Sequence, residues 1–142
     1  MKIAKCLSLA VLVAAGAFAQ PAPQRIDADR LMQTVMLLAD PKFEGRAAGS
    51  DGGIAARAVI VERFRASGLQ PLGDGFLMPF TFARKSANPA EVKGANVVGL
   101  CPGKDRDLPV FVVSAHYDHL GIRDGVIYPG ADDNASGVAV LL

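Results

Sequence analysis

Neither acidic nor basic residues predominate in this sequence. Its 15 Lys and Arg residues face 14 Asp and Glu, a formal net charge of +1. Binding nucleic acid through its phosphates needs a basic excess that displaces counterions, so nucleic acid is not the expected partner. Cysteine is scarce: Cys6 lies in the N-terminal segment, and Cys101 stands alone afterwards. A lone thiol forms no internal disulfide, so bridges do not hold this stretch together. The 15 Gly and 9 Pro residues follow no period, which excludes a collagen-like or low-complexity chain. No internal repeat is visible. What is present is apolar material: 51% of residues are hydrophobic and 20% charged, enough to fill a core.

Long apolar runs are also lacking. The uncharged stretch at residues 6–18 has about 13 positions, against the roughly 20 that span a bilayer. Lys2 and Lys5 precede it, and Ala17-Phe18-Ala19 follows as a small-x-small cleavage site. Residues 1–19 therefore read as a secretory signal peptide, with Gln20 as the first exported residue and no stable membrane insertion after cleavage. The expected location is the periplasm or the exterior. Removing Lys2 and Lys5 leaves 13 basic residues against 14 acidic ones.

Residues 20–26, with Pro21 and Pro23, read as an extended linker, and the domain begins at residue 27. Asp27 has the position of an N-cap, and Leu31, Val35 and Leu38 share one helical face that Pro41 ends. Residues 43–53 are glycine-rich and predict a loop. A second helix is predicted over 54–67, with Ala58, Val61 and Phe64 inward and Gly68 as its C′ glycine. Phe76, Met78, Phe80 and Phe82 alternate as in a half-buried strand whose aromatic stripe is core. Residues 84–93 read as a loop and 96–100 as a short strand. Residues 110–115 are continuously apolar, the pattern of a strand buried on both faces. Residues 136–142 read as the first turns of a helix, and the chain stops inside its apolar pattern. The sequence is therefore expected to continue past Leu142.

The chemistry concentrates near the end. His116 and His119, the only histidines, directly follow the apolar run in Ser114-Ala115-His116-Tyr117-Asp118-His119. In open α/β sheets, sites form beyond the carboxyl ends of strands. Side chains two apart on an extended segment share a side, so Asp118 can orient the His116 imidazole and leave its other nitrogen for a metal. Pro129-Gly130-Ala131-Asp132-Asp133-Asn134-Ala135-Ser136-Gly137 then places two acids and an amide at a loop-to-helix junction. Helix capping alone accounts for such acids, and a backbone-paired histidine accounts for His116. The two motifs in this order favour a hydrolytic metal site of imidazole and carboxylate.

These two motifs resemble the secreted co-catalytic di-zinc aminopeptidases, among them bacterial leucyl aminopeptidase, aminopeptidase Y and the glutamate carboxypeptidases. Phe43-Glu44-Gly45-Arg46 and Ser67-Gly68-Leu69 look like the lead-in of the same family. The resemblance implies an α/β fold: a three-layer sandwich around a mixed, largely parallel central sheet, of the phosphorylase/hydrolase-like zinc peptidase type. It implies His116 as a ligand of one zinc, Asp133 as the carboxylate bridging two zincs, and Asp118 as the acid orienting His116. It also implies a cis Asp133–Asn134 peptide bond. It assigns neither His119 nor Asp132 as a ligand.

The implied function is an exported zinc-dependent aminopeptidase acting on peptide or protein N-termini through a metal-activated water. The family's general-base Glu and its remaining ligands have no match in residues 1–142 and are expected after Leu142. These 142 residues alone are accordingly expected to be inactive. A glutaminyl cyclase-like zinc enzyme and a non-catalytic binding module of the same fold are the alternatives.

Overall fold

The computed structural model describes residues 26–83, 91–105 and 107–142. The expected signal peptide, most of the expected linker and most of the loop expected at 84–93 lie outside the described residues.

Local sequence rules account for the two long helices. In α1 (Ala28–Leu38), the Asp27 carboxylate accepts from the Asp29 and Arg30 N–H groups at 3.0 and 3.2 Å, so the cap is where the sequence puts it. Thr34 and Leu38, one turn apart, are buried. Asp40 caps a short 3-10 turn (Pro41–Arg46) that starts on Pro41. The Ser50 hydroxyl then accepts from Gly53 N–H at 3.1 Å and starts α2 (Asp51–Ala66) three residues earlier than expected. Its inward face is Ala56, Ile60, Val61 and Phe64, whereas Ala58 is exposed. Starting the helix at Asp51 rather than Ile54 does not rotate this face. Ala56 and Ile60 simply complete the stripe that Val61 and Phe64 begin. Gly68 follows with φ +73°, as a C′ glycine should.

The strands pair in twos. β1 (Gln70–Pro71) joins β4 (Gly99–Leu100), β2 (Leu77–Ala83) joins β3 (Glu91–Val97), and β5 (Gly121–Arg123) joins β6 (Val126–Tyr128). All three pairs are antiparallel. Helices and strands are thus mixed along the chain, consistent with an α/β protein. The parallel sheet and the three layers expected from the resemblance are not formed among the described residues. Residues 110–115 adopt no strand. Val110, Phe111, Val112 and Val113 are 62–88% exposed. An interior parallel strand takes its hydrogen bonds from neighbours on both edges, and no described strand pairs with this segment.

The aromatic stripe on β2 is only partly core. Phe76, just before the strand, is buried and meets Phe64 edge-on with ring centroids 6.0 Å apart. Phe80 is exposed and lies instead across its register partner Gly94, where a side chain would leave the ring no room. The core joins Leu38, Phe43, Ala56, Ile60, Val61, Phe64 and Phe76 to Ala135 and Val138. Ala135 and Val138 belong to the last two elements, a wide helical turn (Ala131–Ser136) and α3 (Gly137–Leu141).

Gly45 anchors the β5–β6 hairpin. Its φ is +67°, and a Cβ there would sit 2.4 Å from the Tyr128 carbonyl oxygen and 2.6 Å from that of Gly121. Those two residues are register partners at the hairpin's base. Gly45→Ala is expected to destabilise the protein by about 3 kcal/mol, combining roughly 1–2 for left-handed backbone with roughly 1–3 for overpacking. Urea denaturation of the variant against wild type measures this, and an unchanged midpoint refutes the seating.

Candidate metal and catalytic site

The site is built from two segments. Residues 116–119 cross the Pro41–Arg46 turn, where His119 N–H donates to the Arg46 carbonyl at 3.1 Å. The Tyr117 hydroxyl donates to the Ala95 carbonyl at 2.7 Å and ties this segment to β3. Burial raises the Tyr117 hydroxyl above the ordinary tyrosine range, with Arg57 acting in the opposite direction. The second segment is the Ala131–Ser136 turn, whose backbone leaves helical geometry at Asp133 and Asn134. The Asp133–Asn134 peptide bond is cis, the isomer the resemblance implies. Asn134 Oδ1 accepts from Gly137 N–H at 3.1 Å and leads into α3, so the capping role falls to Asn134.

Of the two aspartates, Asp133 is the one whose carboxylate meets the histidines. Its Oδ1 is 3.1 Å from His116 Nε2, and its Oδ2 is 3.4 Å from His119 Nδ1. The His116 ring and the Asp133 carboxylate are open to solvent, at 55% and 66% exposure, whereas His119 is 12% exposed. His119, which the sequence left without a role, therefore belongs to the cluster. Gly130 makes room for it, since a Cβ there would lie 2.5 Å from the His119 ring.

Asp118 is placed beside His116, as expected, but its backbone is the nearer partner. His116 Nδ1 is 3.1 Å from the Asp118 carbonyl oxygen and 3.5 Å from its carboxylate. A carbonyl only accepts, so this contact places a proton on Nδ1. Nε2 then points at a carboxylate oxygen. Such an arrangement is satisfied by a second ring proton or by a cation between the two atoms. The 3.1 Å separation is that of a direct contact, somewhat under the roughly 3.3–3.5 Å between adjacent ligands of a tetrahedral zinc whose bonds are about 2.0–2.2 Å. The donors thus fit zinc in kind, with a small widening of the gap needed to admit it. Among the described residues no group of three or more His, Cys, Asp or Glu is arranged to hold a metal ion. They supply part of a shell, since a catalytic zinc takes three protein ligands.

Arg46 joins the two segments, and sequence reasoning passed over it. Its side chain is fully buried. Nε donates to the Tyr117 carbonyl at 2.8 Å, Nη1 to the carbonyls of Leu38 and Pro129, and Nη2 to that of Gly130 at 2.7 Å. Burial pulls the guanidinium below the ordinary arginine value, while the nearby charges of Asp118 and Asp133 oppose this. The only hint in the sequence is its place at the end of Phe43-Glu44-Gly45-Arg46.

Residues 96–142, the last third of the chain and the part that carries both site motifs, match Peptidase family M28. That match supports a relationship to the co-catalytic zinc peptidases. The chain is also similar to BOS complex subunit NCLN of Homo sapiens, at 34% identity over 107 residues, covering 75% of this chain and 17% of the human protein. BOS complex subunit ncln of Danio rerio is 33% identical over 94 residues, covering 66% of this chain and 15% of that protein. Nicalin of Caenorhabditis elegans is 43% identical over 54 residues, covering 38% and 9%. The chain spans less than a fifth of the length of these curated relatives. No solved structure matches it. Among the described residues no helix is long and apolar enough to cross a membrane.

Proposed function

We propose that the protein containing this chain is an exported, zinc-dependent exopeptidase of the aminopeptidase class, acting on free peptide N-termini. The observation that carries this reading is His116: its Nδ1 is committed to the Asp118 carbonyl while its Nε2 faces Asp133 Oδ1 at 3.1 Å. When bound, zinc supplies Lewis acidity and lowers the pKa of its water from 15.7 to about 7. His116 contributes a neutral imidazole whose tautomer Asp118 holds. Asp133 offers one oxygen on the His116 side and the other on the His119 side, the divergence a bridging carboxylate needs. In this reading the remaining ligands and the general-base Glu lie beyond residue 142. Residues 110–115 become an interior strand of a larger parallel sheet in a three-layer fold, and residues 1–19 direct export to the periplasm or exterior.

A second reading has one specific observation behind it. Two relatives are by name subunits of a complex, which favours a non-catalytic binding module of the same fold. Zinc content and chelator-sensitive hydrolysis of an aminoacyl p-nitroanilide, measured on the full-length protein, separate the two. A folded protein that takes up no zinc and cleaves nothing supports the binding module.

Within the peptidase reading, His116→Ala is expected to abolish turnover and lower zinc content. Asp118→Asn is expected to cost only about 10-fold, at the low end of the usual 10–100-fold range for an outer partner, because its backbone carbonyl still holds Nδ1. Normal zinc and rate in the His116 variant refute the ligand assignment.

A further inference from the structure

We infer that Arg46 is a positioning residue for the His116–His119–Asp133 cluster, setting the spacing of the two chain segments that carry it. The inference rests on the zinc reading for one of its readouts and is independent of it for the other.

The argument starts from where the bonds go. Apart from Leu38 at the end of α1, every group that Arg46 bonds belongs to a segment of the site. Nε holds the carbonyl of Tyr117, the residue between His116 and Asp118. Nη1 and Nη2 hold the carbonyls of Pro129 and Gly130, at 2.6 and 2.7 Å, just ahead of the turn that carries Asp133. The Arg46 carbonyl accepts the His119 N–H. One residue thus fixes the backbone on both sides of the 3.1 Å gap between His116 and Asp133.

The local backbone is shaped for this task. Glu44, Gly45 and Arg46 have φ of +51°, +67° and +53°, three successive left-handed residues. This turn presents the side chain of Arg46 to both segments and its carbonyl to His119. The guanidinium is a rigid planar fork with five donors, so bonds to several fixed acceptors set their relative positions. A lysine ammonium carries the same charge on a flexible stem and cannot hold that geometry. A merely structural role would show in stability alone; positioning shows at the imidazoles of the cluster as well.

The test uses the full-length protein and three forms: wild type, Arg46→Lys, and Ile60→Ala, a truncation of the α2 core. Arg46→Gln, which keeps two donors, replaces Arg46→Lys if the lysine variant does not fold. The first readout is the set of 15N-imidazole signals of His116 and His119 in chelator-treated protein at fixed pH. The second is the affinity for Zn2+ by competition with a chelating dye, beside the thermal midpoint of each form. We expect both core variants to lower the midpoint. The Arg46 variant alone moves the imidazole signals and weakens Zn2+ by about 10–100-fold, as loss of an outer-shell support does. If wild type binds no Zn2+, the zinc reading fails and the imidazole signals alone decide the role of Arg46. The inference is overturned if the imidazole signals of the Arg46 variant stay at wild-type positions, or if Ile60→Ala moves them equally.

Discussion

If the proposed peptidase reading holds, Asp133→Ala in the full-length protein is expected to remove metal from the site and reduce hydrolysis by more than about 100-fold, beyond the upper end of what loss of an outer partner costs. The reason is geometric. Asp133 is the one carboxylate that faces both histidines, with one oxygen toward each. Removing it strips the partner from His116 Nε2 and from His119 Nδ1 together. Asp132→Ala is expected to be distinctly milder, since its neighbour makes those contacts. Because the Asp133 side chain is 66% exposed, the variant should fold, so a loss of metal can be read as a loss of ligand. Metal analysis beside a urea melt checks this. A variant that keeps full zinc content shows that Asp133 is not a ligand, and loss of one zinc with full retention of the other argues against bridging.

Arg46→Ala is expected to cost about 4 kcal/mol or more of stability, a large share of the roughly 5–15 kcal/mol that holds a typical domain together. Four donations from the guanidinium end on backbone carbonyls. Each hydrogen bond to a charged group contributes roughly 1.5–3 kcal/mol, and water entering the vacated space restores only part of that. Arg46→Met is expected to fare no better. It fills the volume but leaves the same carbonyls without donors. Urea midpoints measure both variants, and a loss below about 1 kcal/mol, the size of one ordinary hydrogen bond, contradicts the account.

The helices were legible because their signals are local. Asp27 caps within three residues, and the spacing of Leu31, Val35 and Leu38 is a property of a few turns; the Ser50 cap is missed, because the glycines around it read as loop. His116 and Asp133 are brought together, as the pairing of the two motifs and the resemblance lead one to expect, although each side chain taken alone also fits a backbone-paired histidine or a helix cap. The failures share a cause at longer range. Residues 110–115 have the apolarity of an interior strand, but a strand exists only where another chain segment bonds to it. Phe80 has an inward phase by alternation, yet Gly94 across the ladder offers its ring a surface to cover. Arg46 acts on carbonyls as many as 84 residues away, and carbonyls leave no trace in residue type. The β5–β6 hairpin does carry a local signal: Asp124-Gly125 between two short strands is the pair that a tight hairpin turn selects.

That hairpin also marks where the chain can accept new material. It occupies the whole interval between His119 and Pro129, and its base is clamped at Gly121 and Tyr128 against Gly45. Its tip, Asp124-Gly125, has φ of +51° and +75°, and a Cβ at Gly125 would meet nothing within 4 Å. Lengthening the chain there moves neither end of the site. Closing a longer loop costs only about 0.6 kcal/mol per doubling of its length. Residues grafted between Asp124 and Gly125 therefore extend the hairpin from its free tip and leave its clamped base in place. In a lineage of such proteins, the length and sequence of this tip can vary while the arrangement of His116, His119 and Asp133 stays constant.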